Sequence, residues 1–115
     1  MFNYTELDDN ELEFLTVARL DDLPVGERLF IEIDGAPVVL FNLAGKIFAI
    51  RDVCTHDNGP LGDGVLEQHE IVCPRHGARF DITSGKAVRL PAVVDIPAYP
   101  VRVVGELIEI GLPKK

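Results

Sequence analysis

Apolar residues along the chain come in short runs, separated by Gly, Pro, Asp and Asn, and no helical period is sustained. Residues 13–18 read as a first strand, and residues 21–27 as a loop rich in turn formers. Residues 28–33 form a strand of branched and aromatic side chains. Asp34-Gly35 is a strong two-residue hairpin signal, and residues 36–42 return as its partner. Ala44-Gly45 turns the chain again into a third strand, residues 46–50. Further on, 65–66 and 70–72 read as a small hairpin with Glu67-Gln68-His69 at its tip. Residues 87–89 make a short segment. The stretch 95–104 holds Pro97 and Pro100, which marks an edge or interrupted strand. After a turn at Gly105-Glu106, alternation over 107–110 closes the pattern. The first dozen residues support at most a fraying helical turn. Short strands at this spacing predict an all-β sandwich or barrel.

Composition narrows the function classes. A chain of 115 residues suffices for one core, burying roughly 65% of its unfolded surface. The net charge of −8 and the lack of a basic stripe argue against a nucleic-acid partner. Acidity is concentrated early: residues 1–50 carry ten acidic and three basic side chains, residues 51–115 nine and eight. Residues 1–10 have neither the basic nor the apolar part of a signal peptide. No run approaches the ~18 apolar residues of a membrane span. The expectation is a cytoplasmic protein with no membrane association.

The chemistry lies in Cys54-Thr55-His56 and Cys73-Pro74-Arg75-His76, with sixteen residues between His56 and Cys73. These are the only two cysteines and two of the three histidines. Thiolate and imidazole together suit zinc or an iron–sulfur cluster. A mononuclear zinc site commonly uses Cys-x2-Cys. Two close Cys-His pairs instead allow each loop to reach two adjacent metals. Residues 58–64, Asn-Gly-Pro-Leu-Gly-Asp-Gly, form a turn-rich run, and Gly77 follows His76 directly. Glycines at such places allow backbone N–H groups to approach cluster sulfurs. His69, among polar residues at a hairpin tip, reads as exposed and not a ligand.

This pattern resembles the Rieske motif, and the likeness runs from about Phe14 to Ile110. The resemblance implies one [2Fe–2S] cluster, with Cys54 and Cys73 on the inner iron and His56 and His76 on the outer one. It also implies a basal antiparallel β-sandwich, residues about 13–51 and 85–112, with a cluster-binding insertion at about 52–84, all in one Rieske domain spanning 1–115. Residues 79–81 and 83–86 resemble the strand and turn after the second loop, and Pro60-Leu61 and Leu90-Pro91-Ala92 the apolar cover. Members attached to membranes typically carry an anchor and an extra Cys pair tying the loops. Neither is found here, so the chain is similar to the soluble ferredoxin type. High-potential members place Ser and Tyr, donors to cluster sulfurs, where this chain has Ala78 and Phe80.

The implied function is one-electron transfer from a flavin reductase to a terminal non-haem iron oxygenase, as a monomer. The chain itself is not expected to be an enzyme. Once His56 and His76 hold the cluster, only His69 remains, too few for a two-His-one-carboxylate iron site. A nitrite reductase small subunit and a redox-silent zinc interaction module are the alternatives. Arg51, Arg75 and Arg79 flank the loops, either to steer a docking partner or to pair with neighbouring acids.

Overall fold

Residues 36–43 read Ala-Pro-Val-Val-Leu-Phe-Asn-Leu, apolar at nearly every position, and such a strand needs cover on both faces. The computed structural model, which describes residues 4–55, 58–90 and 94–114, supplies that cover from two sides. The strands are β1 (Leu12–Arg19), β2 (Arg28–Ile33), β3 (Ala36–Leu43), β4 (Lys46–Arg51), β5 (Leu66–Glu67), β6 (Glu70–Val72), β7 (Arg79–Asp81), β8 (Ala87–Arg89), β9 (Ala98–Tyr99), β10 (Val101–Val104) and β11 (Leu107–Pro113). They form three antiparallel sheets: an outer sheet β1-β11-β10, a central sheet β2-β3-β4-β9 and a small sheet β5-β6-β7-β8.

Alternation along β3 divides the core in two. Val38 and Leu40, with Ile47 and Ala49 of β4, pack against Ile108 and Ile110 of the outer sheet. Val39 and Phe41, with Ile50, face the other way and pack against Ile71, Phe80 and Ile82 around the small sheet. The all-β sandwich expected from the strand pattern is present, and the meander of β2, β3 and β4 has the expected turns. Asp34 and Gly35 have φ of 50° and 81°, Ala44 and Gly45 of 54° and 94°. Paired left-handed residues match the twist of a tight hairpin.

The interrupted strand has a specific use. Pro100 separates β9 from β10, and the two pieces join different sheets: β9 pairs with β4, β10 with β11. One short segment thus stitches the outer and central sheets together. β8 pairs with β7, so Ala87–Arg89 complete the small sheet. Short 3-10 turns occupy Tyr4–Glu6, Asp9–Glu11 and Leu20–Asp22. No helix among the described residues is long and apolar enough to cross a membrane.

Candidate metal centre

Both Cys-His loops are built on one backbone pattern. In the first, the Cys54 N–H donates to the Gly59 carbonyl at 2.8 Å and the Asn58 N–H to the Cys54 carbonyl at 2.7 Å. In the second, the Cys73 N–H donates to the Ala78 carbonyl at 2.7 Å and the Gly77 N–H to the Cys73 carbonyl at 3.1 Å. Each cysteine therefore opens a turn closed four and five residues later. The fourth residue after each cysteine is left-handed, Asn58 at φ 60° and Gly77 at φ 73°. Glycine adopts that conformation freely, and Asn is among the side chains that tolerate it best. The two histidines fall at different steps of these matching turns, His56 two residues after its cysteine and His76 three. His56 lies outside the described residues.

Burial separates the donors. Cys54 and Cys73 are 0% and 2% exposed and lie in one apolar cluster with Leu61, Ala78 and Phe80. His76 is exposed. Neither cysteine forms a disulfide. Among the described residues no three His, Cys, Asp or Glu side chains form a closed metal cage. The donor set is a buried thiol pair plus an exposed imidazole, on two equivalent turns. That arrangement fits a binuclear group with an inner, thiolate-bound metal and an outer, imidazole-bound one.

Side chains from outside the motif position the loops, and the sequence reading missed them. Asp52 Oδ1 accepts the N–H groups of Leu61 (2.8 Å) and Gly62 (2.6 Å). From β2, Arg28 Nη1 donates to the carbonyls of Gly62 and Gly64. The stretch after the first turn is thus gripped on its donors by an acid and on its acceptors by a base. Leu61 is held fully buried as a result. Gly64 leaves no room for a side chain, since a Cβ there would stand 1.8 Å from the Val72 carbonyl oxygen. Thr55, between Cys54 and His56, donates its hydroxyl to the Val94 carbonyl and ties the segment after β8 to the first loop. Nothing in the local sequence marks Asp52 or Arg28, because their partners are nine or more residues away.

The expected cover is present in part. Leu61 is buried, whereas Leu90 is 73% exposed, and Pro91 and Ala92 lie outside the described residues. His69 is exposed, as expected, with Nδ1 3.3 Å from Asp81 Oδ2. The three arginines diverge. Arg79 pairs with Glu67 (2.5 Å) and Glu70 (3.5 Å). Arg75 Nη1 donates to the Pro60 carbonyl at 2.7 Å. Arg51 bonds a tyrosine rather than an acid. Its Nε and Nη2 donate to the Tyr99 hydroxyl at 3.3 and 3.2 Å, in the layer between the central and outer sheets. Burial alone would lower its pKa, but the Tyr99 hydroxyl and the other groups beside it outweigh this and move it upward.

Known proteins resemble this chain in sequence and fold. The 3-phenylpropionate/cinnamic acid dioxygenase ferredoxin subunit of Escherichia coli (strain K12) is 45% identical over 95 residues, 81% of this chain and 88% of that protein. The ferredoxin of carbazole 1,9a-dioxygenase from Nocardioides aromaticivorans IC177 superposes with a TM-score of 0.79 at 35% identity, covering 88% of this chain and 98% of that one. A ferredoxin solved in the complex of reduced oxygenase and oxidized ferredoxin in carbazole 1,9a-dioxygenase superposes with the same TM-score at 27% identity, covering 89% and 95%. Residues 13–100 match the Rieske [2Fe–2S] domain family, and with the relatives above this shows that the chain belongs to that family.

Proposed function

We propose that this chain is a cytoplasmic one-electron carrier that takes electrons from a flavoprotein reductase and passes them to a terminal non-haem iron oxygenase. The observation that carries the reading is the division of the donors, two buried thiols inside and an exposed imidazole outside. The ligands are Cys54 and Cys73 for the inner iron, and His56 and His76 for the outer one. The bound [2Fe–2S] cluster supplies a site that gains and loses one electron. The chain supplies the rest. Leu61, Ala78 and Phe80 shield the thiols from water. The exposed His76 offers an edge through which an electron reaches a docked partner without crossing the protein interior. The chain is the electron-transfer component and not the catalyst, in keeping with relatives described as ferredoxin subunits and components.

The test is a reductive titration of the purified protein followed by mixing with a terminal oxygenase. Uptake of one electron per chain, and its loss to the oxygenase with bleaching and recovery of the visible spectrum, is the expected result. A colourless protein carrying zinc would overturn the reading.

A further inference from the structure

We propose that Arg75 and Gly59 form a noncovalent clasp between the two cluster loops, and that Arg75 is a positioning residue for the cluster. This rests on the reading that the two loops hold a cluster. Arg75 lies in the second turn, between Cys73 and His76. Its guanidinium crosses to the first turn, where Nη1 donates to the Pro60 carbonyl at 2.7 Å. The rest of the group lies flat against Gly59. A Cβ at residue 59 would stand 2.7, 2.8 and 3.1 Å from Nη2, Cζ and Nε. Space at Gly59 is therefore filled by the guanidinium of the opposite loop. Gly59 is also the residue whose carbonyl closes the Cys54 turn. One side chain thus joins the closing residue of the first turn to the middle of the second.

The chemistry suits arginine. The planar guanidinium can lie against a peptide while an edge N–H donates, and a lysine ammonium cannot do both. A bond from a charged donor to a carbonyl exceeds a neutral one in strength. Neither Cys54 nor Cys73 forms a disulfide, so no covalent bond between them ties the loops. The clasp supplies a lateral tie at the rim, where Asn58, Pro60, Pro74 and Arg75 lie exposed. Loosening it lets the two turns separate and shifts the ligand pairs relative to each other.

Gly59 permits a sharp test. Its φ is not in the left-handed region, so alanine fits the backbone and acts only by evicting the guanidinium. The rate of visible-absorbance loss in excess chelator is compared for the wild type, Gly59→Ala, Arg75→Ala and the double variant. Each single change is expected to speed cluster loss about fivefold, the factor for about 1 kcal/mol, a net hydrogen bond's worth at an exposed site. In the Arg75→Ala background, Gly59→Ala should add nothing, because the space is already vacated. Arg75→Lys should fall between. The cluster's visible circular dichroism should change in both single variants while the far-ultraviolet melting of the sandwich stays put. Additive effects, or a Gly59→Ala protein as durable as the wild type, would overturn the clasp. A wild type without a cluster would instead overturn the proposed function, so the two failures are distinct.

Discussion

Ala78 is the position where the reduction potential can be moved with least disturbance. It is fully buried in the apolar cluster around Cys73, and its carbonyl accepts the Cys73 N–H at 2.7 Å. Ala78→Ser adds one oxygen beside the cysteine turn. A hydroxyl donating to a sulfur bonds more strongly when that sulfur carries more negative charge, and reduction adds one electron to the cluster. Neutral hydrogen bonds are worth about 1 kcal/mol and those to charged groups about 2. The difference between redox states is then about 1 kcal/mol in favour of the reduced form. At about 59 mV per 1.4 kcal/mol for a one-electron couple, this is about 40 mV upward. The wild type, with neither Ser at 78 nor Tyr at 80, is expected near the low end of the Rieske range, about −150 mV. Protein-film voltammetry on both proteins measures the shift. An unchanged or lowered potential would refute the reasoning, and a matching loss of stability would show a buried hydroxyl left without a partner. A wild-type value above about +100 mV would refute the low starting point.

His76→Ala should abolish the native cluster spectrum, while His69→Ala should leave it intact, with iron and sulfide in equal amounts. A normal spectrum in the His76 variant would remove it from the ligand set. Leu61→Ala opens a cavity in a fully buried site and should cost about 2–5 kcal/mol in chemical denaturation, with faster cluster loss. Burial raises the Tyr99 pKa above the ordinary phenol value of 10.0, against the lowering effect of Arg51. The unfolded chain therefore ionises first. The contribution of Tyr99 to stability is complete below the ordinary phenol range and is lost as pH rises through it to the folded value. Denaturation curves should show this alkaline loss in the wild type and a smaller one in Tyr99→Phe. Equal slopes would count against it.

What the sequence determined by itself is the local part of the protein. Asp34-Gly35 and Ala44-Gly45 mark their hairpins because two adjacent residues must take left-handed backbone, and few residue types do so. The nearly all-apolar run of β3 already required a strand buried on both faces. Cys54, His56, Cys73 and His76 stand out because metal donors are rare residues at short, fixed spacing. Tertiary structure decided whatever depends on residues distant along the chain. Pro100 signals an interruption, but only packing sends β9 to the central sheet and β10 to the outer one. β8 joins the small sheet because β7 offers it a free edge. Arg51 and Arg75 look alike beside their motifs. One turns inward to Tyr99, 48 residues on, and the other crosses to Pro60 in the opposite loop. A long cationic side chain reaches equally far in many directions, and its partner is fixed only once the sheets have brought the acceptors into range.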